Sequence, residues 1–255
     1  MLTTIGVGTG MILNDKDIFH IHTYRCGHAE NISDEEYIKA AIQCGANSIW
    51  FSDHAPFPGD PFQGRMKYDE LGEYFCSILE LRHKYRNAID VRIGLEIEYF
   101  PSFDREAYYQ KLKTSPHLDF LLLGQHMAED PEHKTGYTFG WDKGKLDTEE
   151  YLALGNAIVQ GIQSGHFDAV AHPDRIFRRC RTWTSAMEQV SSKIIRAAYT
   201  QGMPLELNMN SVNMKYQYWL EFWQLAEANT RIIGLDAHGK DELLRRYAKQ
   251  QQIVS

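Results

Sequence analysis

Residues 48–56 read Ser-Ile-Trp-Phe-Ser-Asp-His-Ala-Pro, a short apolar run that ends in a charged pair and a proline. The apolar run is typical of a buried strand, and the proline ends it. A charged pair at that point is unusual for packing, although a cap or a buried, hydrogen-bonded histidine would also explain it. The stretch therefore predicts a strand that carries Asp53 and His54 at its carboxyl end.

The same pattern recurs along the chain. At six places in all, an apolar run ends and a histidine, a carboxylate or both follow it. The residues are His20, His22 and His28, Asp53 and His54, Glu96, His126, His172, and Asp236 and His238. Each place has an ordinary structural explanation of its own, but six together are improbable. Because imidazoles and carboxylates are ligands of divalent metals, the set predicts a site with several metal ions and metal-assisted hydrolysis.

Spacing within the set favours convergence. On a strand, residues i and i+2 face the same side about 6.6 Å apart, so His20 and His22 can reach one ion. Asp236 and His238 repeat this geometry. Glu96 lies inside an apolar strand, where a carboxylate is costly unless it is paired or metal-bound, and a site with several ions needs a carboxylate that bridges two of them. Glu98 lies on the same face, so one of the two could bind metal while the other supports it from behind, or Glu98 faces solvent beyond the rim.

Strand and helix patterns alternate to the end of the chain. Strands are predicted at 17–22, 48–52, 90–99, 120–123, 168–171, 204–207 and 231–235. Helices are predicted at 33–44, 68–85, 103–113, 148–163, 184–200, 216–228 and 241–251, and the spacing of Ser33 and Glu36 predicts a capping box on the first. Seven β–α units in series predict an α/β fold whose parallel sheet closes into a barrel. Such a barrel gathers the carboxyl ends of its strands at one mouth.

Composition limits the classes of protein. The chain has 255 residues, a net charge of -7 and a pI near 5.9, which disfavours nucleic-acid binding because that needs a basic surface. A small phosphorylated partner fits, because bound cations supply positive charge. No apolar run is long enough to cross a membrane, and residues 1–13 lack the features of a signal peptide. Four cysteines without a C-x-x-C pair predict a reduced, cytoplasmic protein, in which Cys26 is a packed thiol rather than a ligand. The sequence does not predict the oligomeric state.

Taken together and in this order, these residues resemble the motifs of the PHP (polymerase and histidinol phosphatase) family, and the resemblance extends from His20 to His238. The motifs that carry the resemblance are His-x-His at 20–22 with His28, Ser-Asp-His-Ala-Pro at 52–56, Gly-Leu-Glu at 94–96, His126, Ala-His-Pro-Asp at 171–174 and Asp-Ala-His at 236–238. The resemblance implies a distorted (β/α)7 TIM-like barrel, here a single domain of residues 17–255 after an N-terminal extension of residues 1–16. Residues 64–74 and the helix that follows them resemble the histidinol-phosphatase branch, in which such a loop lies over the active site.

The resemblance also implies three divalent transition-metal ions. One would be held by His20, His22, Glu96 and Asp236. A second would share Glu96 and add His126 and His172. A third would be held by His28, His54 and His238. Zinc, manganese and iron all suit imidazole and carboxylate ligands, and the sequence does not choose among them.

The activity implied is that of a phosphomonoesterase that hydrolyses L-histidinol phosphate to histidinol and phosphate in histidine biosynthesis. Glu96 and Asp236 would act in catalysis through the ions they hold. Three alternatives stay open: a family phosphatase or phosphodiesterase acting on another small metabolite or nucleotide, an exonuclease of the family, and a non-catalytic metal-binding accessory module. The acidic charge disfavours the exonuclease, and the complete ligand set disfavours the accessory module.

Other residues are candidates for contacts with substrate. Arginine holds phosphate oxygens by paired contacts, so Arg175, three residues after a ligand, is the first candidate and Arg65 the second. Asn208, at the end of the sixth strand, is expected to face the site and bind substrate. Asp53 would orient His54 or assist proton transfer. The remaining histidines are expected at the surface: His83, His117, His133 and His166.

Overall fold

The structure is a computed structural model that describes residues 13–129, 147–213 and 219–254. Within these ranges the strands are β1 Asp17–Ile21, β2 Ser48–His54, β3 Asp90–Ile97, β4 Phe120–Leu123, β5 Ala169–Val170, β6 Leu205–Asn208 and β7 Arg231–Gly234. The α-helices are α1 Asp34–Gln43, α2 Leu71–Tyr85, α3 Pro101–Arg105, α4 Tyr108–Lys113, α5 Asp147–Ser164, α6 Ser185–Gln201, α7 Met209–Asn213, α8 Leu220–Leu225 and α9 Lys240–Val254.

The strands are parallel and lie side by side in sequence order. The sheet closes because β1 also contacts the β7 end: the Leu235 N–H donates to the Phe19 carbonyl at 2.7 Å, and the His22 N–H donates to the Ala237 carbonyl at 3.0 Å. The predicted α/β fold, a distorted (β/α)7 TIM-like barrel in a single domain, is confirmed. The predicted extension of residues 1–16 lies mostly outside the described residues, and a domain boundary at residue 17 stays a prediction.

Apolar side chains fill the barrel on the amino-terminal side of the strands. They are Leu13, Phe19, Trp50, Phe120, Leu122, Ala169, Ala171 and Ile232. Phe19 packs against Trp50 and Phe120, with ring centroids 6.0 Å and 5.4 Å apart. Because this plug occupies much of the interior, the interior space that remains for a polar site lies toward the carboxyl ends of the strands.

Helices cover the outside of the barrel. Between the two layers lie fully buried side chains from both, such as Ile49 and Ile93 on strands and Tyr37 and Tyr74 on helices. The hydroxyl of Tyr74 donates to the carbonyl of Gly94 at 2.8 Å. This bond fixes α2 on β3, the strand that carries the central carboxylate of the site.

The first strand contains a bulge. His20 has a φ of 68°, and the pairing of β1 with β2 shifts between Phe19 and Ile21. A bulge of this kind re-aims side chains at the end of a strand. His20 and His22 both point into the barrel beyond Phe19, as predicted, but the bulge directs them rather than plain alternation.

Three predicted helices differ from those observed. Residues 103–113 belong to two helices, α3 and α4, because Ala107 adopts a left-handed φ of 57°. The capping box predicted for α1 is wrong: the Ser33 side chain makes no cap hydrogen bond, and Glu36 pairs with Lys39 and Lys240. The helix predicted at 216–228 is shorter among the described residues: α8 covers Leu220–Leu225, residues 226–228 form a turn, and residues 216–218 lie outside the described ranges.

Some predictions fall wholly or partly outside the described residues. The polar composition of residues 128–144 predicts a long loop, of which only residues 128 and 129 are described, and the predicted surface position of His133 lies outside the described residues. His83 and His117 are exposed as predicted, but His166 is half-buried, with its Nε2 2.8 Å from Oδ1 of Asp104. None of the helices in the described part of the chain has the length and apolar character needed to cross a membrane.

Gly94→Ala is expected to destabilise the barrel. A Cβ at this position would lie 2.2 Å from ring carbons of Phe120 inside the plug, and overpacking of this kind costs about 1–3 kcal/mol. Urea unfolding would measure the difference. Gly72→Ala in α2, where a Cβ meets nothing within 4 Å, is the control and should leave stability equal or higher by up to about 1 kcal/mol. Equal stability of both variants would contradict tight packing at Phe120.

Candidate metal centre

The carboxyl ends of the strands bring the predicted ligands together at one mouth of the barrel. The residues and their positions are His20 on β1, His22 directly after β1, His28 in the turn that follows, His54 at the end of β2, Glu96 on β3, His126 after β4, His172 after β5, and Asp236 and His238 after β7. His28 is exposed, His126 and His238 are half-buried, and the others are buried. Contacts within this group connect all nine.

Glu96 lies at the centre, with one carboxylate oxygen toward each half of the cluster. Its Oε2 lies 3.2 to 3.4 Å from ring nitrogens of His54, His20 and His22. Its Oε1 lies 2.7 Å from Nε2 of His172 and 3.7 Å from Nε2 of His126. Gly124 leaves room for it, because a Cβ there would lie 2.1 Å from Oε1. A carboxylate placed in this way can bridge two ions.

One compact group lies on the Oε2 side. The Nε2 atoms of His20 and His22 are 3.0 Å apart, and Nε2 of His22 is 3.4 Å from Oδ1 of Asp236. Ligand atoms of these three residues all lie within 4.8 Å of one another. With Glu96, they make up the first of the implied ligand sets.

The remaining ligands form groups that differ from the second and third ligand sets implied by the family resemblance. His54 forms one triad with Glu96 and His126, and another with His22 and His238. His28 lies at the outer edge, its Nε2 3.1 Å from Nε2 of His238, and these two form a triad with Cys26. Burial raises the pKa of the Cys26 thiol to about 12, which favours the neutral, packed thiol.

The side chains present suit divalent cations. Ring nitrogens face each other at about 3 Å in two pairs, His20 with His22 and His28 with His238. Two neutral nitrogens at this distance oppose their lone pairs unless a proton or a cation lies between them. Nδ1 of His22 is also buried and has no hydrogen-bond partner among the described residues, since Oδ1 of Asp53 is 3.6 Å away. The donor set therefore fits ions that bind nitrogen and oxygen.

The surroundings of the cluster favour the ionised form of its carboxylates and the protonated form of two imidazoles, those of His22 and His20. Burial alone would raise the pKa of Glu96, but the nearby imidazoles, first His20, hold it well below its usual value. Burial likewise opposes ionisation of Asp236, whose pKa is held low by Arg175 and His22. Burial would lower the pKa of His22, yet Asp236 and Asp53 raise it to about 9.

Among the other imidazoles, the pKa of His20 is raised like that of His22, whereas the pKa values of His172 and His238 are lowered. The pKa of His20 is raised well above its usual value, because Glu206 and Glu96 outweigh burial. Burial, with Arg175 nearby, lowers the pKa of His172 to about 4. Burial and His22 lower that of His238 to about 3. These two rings are neutral near pH 7 and offer lone pairs without losing a proton.

Residues 19–210, more than half of the chain, match the PHP domain. The chain belongs to the PHP domain family. The motifs at the ends of the strands predicted this family, and the prediction is confirmed. The matched part of the PHP domain runs from β1 to the start of α7.

Curated relatives of this PHP domain protein are named as histidinol phosphatases. That of Bacillus subtilis is 26% identical over 246 residues, which cover 86% of this chain and 92% of the relative. A probable histidinol-phosphatase of Deinococcus radiodurans is 33% identical over 164 residues, 61% of this chain, and the chain spans 59% of that relative's length. The predicted likeness to the histidinol-phosphatase branch is confirmed.

A solved structure shares the barrel. It is the histidinol phosphate phosphatase of Lactococcus lactis in complex with zinc, L-histidinol and phosphate. The two structures superimpose with a TM-score of 0.72 over 94% of each chain, at 19% sequence identity. The likeness establishes the fold of this PHP domain.

Arg175 lies beside the cluster of the PHP domain. Its Nη2 donates to Oδ2 of Asp236 at 2.6 Å and to the amide oxygen of Asn208 at 3.0 Å. That oxygen also accepts the backbone N–H groups of Asn210 and Ser211, at 2.9 Å and 3.1 Å. The amide oxygen of Asn208 is thus occupied by donors of the protein, and it orients Arg175.

Arg65 is paired with the second carboxylate of β3. Its Nη1 and Nη2 donate to the two oxygens of Glu98 at 2.9 Å and 3.0 Å, and Oε1 of Glu98 lies 3.2 Å from Nδ1 of His126. Burial opposes ionisation of Glu98, but Arg65 and His126 bring its pKa to about 2. Glu98 is buried, so the alternative in which it faces solvent is wrong; it holds the ring of His126 from behind.

Asp53 contacts His22 rather than the ring of His54. Its Oδ1 lies 3.6 Å from Nδ1 of His22 and accepts the backbone N–H of His54 at 2.9 Å. Its Oδ2 accepts the hydroxyl of Thr23, which in turn accepts from Nη1 of Arg25 at 3.1 Å. Asp53 therefore connects a buried arginine to the cluster.

Glu206 belongs to the site but was not predicted from the sequence. Its side chain is fully buried in β6, and its Oε1 lies 2.5 Å from Nδ1 of His20. The signal is the one that marks Glu96, a carboxylate inside an apolar strand, here between Leu205 and Leu207. A buried carboxylate in a strand of this barrel indicates the site even where it does not end the strand.

Asp174→Asn is expected to stabilise the protein near neutral pH. Burial raises the pKa of Asp174 from 3.8 to about 6, although Trp219 and Trp223 donate to its Oδ2. The folded protein keeps a proton that the unfolded chain releases, so stability falls as the pH rises from about 4 to 6 and stays low above. Asparagine keeps an acceptor oxygen and removes the titration, which should raise the free energy of unfolding by up to about 3 kcal/mol at pH 7.5.

Urea unfolding of both proteins at pH 7.5 and at pH 4 would measure this gain. The gain should disappear at pH 4, where Asp174 is protonated in the folded protein. A gain that is the same at both pH values would show that the titration of Asp174 is not its cause.

Proposed function

We propose that this protein is a metal-dependent phosphomonoesterase that hydrolyses L-histidinol phosphate to L-histidinol and phosphate. The observation that carries the proposal is the position of Glu96, whose two oxygens face the two halves of a cluster of imidazoles and carboxylates. The names of the curated relatives support this substrate, as do the L-histidinol and phosphate bound in the Lactococcus structure.

The cofactors we propose are three divalent ions, with zinc, manganese and iron as candidates. The first would be held by His20, His22, Glu96 and Asp236. The second would be held by Glu96, His126 and His172, and the third by His28, His54 and His238. Such ions lower the pKa of water so that it can attack phosphorus, and they neutralise charge on the phosphate oxygens.

The chain's own cationic groups would bind the phosphate. Arg175 and Arg65 each have a buried Nε without a hydrogen-bond partner among the described residues. Both guanidinium groups are therefore suited to charge-assisted bonds with phosphate oxygens once the ester is present. Asn208 would act indirectly by holding Arg175, and Asp53 through its bond to the backbone N–H of His54 and its charge near His22.

The reaction would belong to histidine biosynthesis in the cytoplasm. The thiol of Cys26 is free and buried, which fits a reducing compartment. The net charge of -7 fits a small phosphorylated partner better than nucleic acid.

The test is a phosphatase assay of the manganese-, zinc- and iron-loaded protein with L-histidinol phosphate beside a panel of sugar phosphates and nucleotides. We expect kcat/KM for L-histidinol phosphate far above that for the panel. The Glu96→Gln protein, purified in the same way, controls for contaminating phosphatases. Hydrolysis of panel members alone would overturn the substrate, and no hydrolysis with any metal would favour an accessory module.

A further inference from the structure

Glu206 contacts three groups of the site from within the barrel. Oε1 lies 2.5 Å from Nδ1 of His20. Oε2 accepts the backbone N–H of His172 and the side-chain amide of Asn208, each at 3.0 Å. The side chain is fully buried, so no solvent competes for these bonds. One carboxylate therefore connects the ends of β1, β5 and β6.

This carboxylate decides which nitrogen of His20 carries the hydrogen. An ionised carboxylate only accepts hydrogen bonds, so Nδ1 of His20 must be the donor. Nε2 of the neutral ring then keeps its lone pair, and it faces His22 at 3.0 Å and Glu96 at 3.4 Å. Histidines that bind metals usually donate their second ring nitrogen to a carboxylate or a carbonyl.

The neighbouring strand provides the space for this contact. A Cβ at Gly234 in β7 would lie 1.6 Å from Oε1 of Glu206. His20 itself has a φ of 68°, a left-handed conformation that residues other than glycine rarely adopt. A strained residue keeps its orientation only where its surroundings fix it. The bond to Glu206 is such a constraint on the ring of His20.

We propose that Glu206 is a positioning residue that fixes the tautomer of His20 and directs its Nε2 into the metal cluster, with Gly234 providing the space. The inference rests on the proposed role of His20 as a metal ligand. Glu206 acts through His20 and touches neither substrate nor ion.

Glu206→Gln separates this role from packing, because it hardly changes volume. The Oε2 position faces two donors, from His172 and Asn208, so the amide oxygen is expected to stay there. The NH2 group then faces Nδ1 of His20, which must accept a hydrogen bond. The hydrogen moves to Nε2, and the ring no longer offers a lone pair to the cluster.

The affinity for Mn²⁺, measured by chelator competition, is expected to fall about 10–100-fold in Glu206→Gln. Gly234→Ala should lower it as well, because the added methyl group displaces the carboxylate without removing its charge. Asp17→Asn is the matched control: it removes a buried carboxylate that accepts from Asn14 and Ser48 at the other end of β1, and it should bind like the wild type. Wild-type affinity in Glu206→Gln would overturn the proposal.

A second measurement needs no substitution at Glu206. Nitrogen-15 correlation spectra of the zinc-loaded wild-type protein report which ring nitrogen of each histidine carries a hydrogen, and His20 is assigned by its loss in His20→Gln. We expect the hydrogen of His20 on Nδ1, and a hydrogen on Nε2 would contradict the proposal. The proposed function fails in a different way, when wild-type protein retains no ions and hydrolyses no phosphoester.

Discussion

Glu96→Gln is expected to lower kcat/KM for phosphoester hydrolysis by about 10³-fold or more, since even residues that only support a metal ligand cost about 10–100-fold when replaced. Glutamine has nearly the same volume, so the fold should survive. It offers one oxygen where the carboxylate offers two, and its NH2 group would face either His172 or His54. In both orientations, one half of the cluster loses its shared ligand.

Steady-state kinetics and elemental analysis of the purified variant would check this expectation. Asp17→Asn again serves as the control, since it removes a buried carboxylate far from the mouth of the barrel. Full activity in Glu96→Gln would exclude a bridging role for this residue. A loss of activity with all metal ions retained would limit its role to the reaction itself.

Removal of metal ions is expected to abolish hydrolysis, and reloading should release protons near pH 7.5 from the buried imidazoles of His22 and His20, whose pKa values are raised in the metal-free protein. A ring must lose its second proton before it can bind a cation. The pKa of His22 is about 9, so this proton is still bound at pH 7.5. His172 and His238 are already neutral there and release none.

Isothermal titration of the metal-free protein in two buffers of different ionisation enthalpy would count the protons. Apparent affinity should rise with pH up to about 9, as the competition from protons on His22 declines. A binding enthalpy that does not depend on the buffer would show that the two imidazoles are already deprotonated. Magnesium, which prefers oxygen ligands, gives a reference titration with little proton release.

Much of the site could be predicted because its residues lie where local patterns change. Asp53 and His54 follow a run of buried side chains, and Glu96 interrupts another. The carboxyl ends of parallel strands meet at one mouth, so residue type and strand order together predict the cluster. No long-range information was needed for this step.

What could not be predicted depends on contacts between residues far apart in sequence. The amide of Asn208 suggested a substrate contact, but Arg175, 33 residues earlier, occupies its oxygen. Glu36 matched a capping box, but Lys240, 204 residues away, pairs with it. Ala107 interrupts the helix predicted at 103–113 because its φ is positive, and no glycine or proline at that position indicates the break in the sequence. Patterns within a short window do not contain such partners.

The contact between β1 and the β7 end determines when the cluster can form during synthesis of the chain. The ring nitrogens of His28 and His238 meet across 210 residues of sequence, and the His22 N–H needs the carbonyl of Ala237. A ribosome adds residues in order at about 5–20 per second. The contacts of His22 and His28 with the β7 end therefore form only after the last strand has been synthesised. The first and third proposed ligand sets, which need Asp236 and His238, can therefore be completed only after the last strand is made, and a nascent chain that ends before Asp236 could complete neither of them, even with added metal.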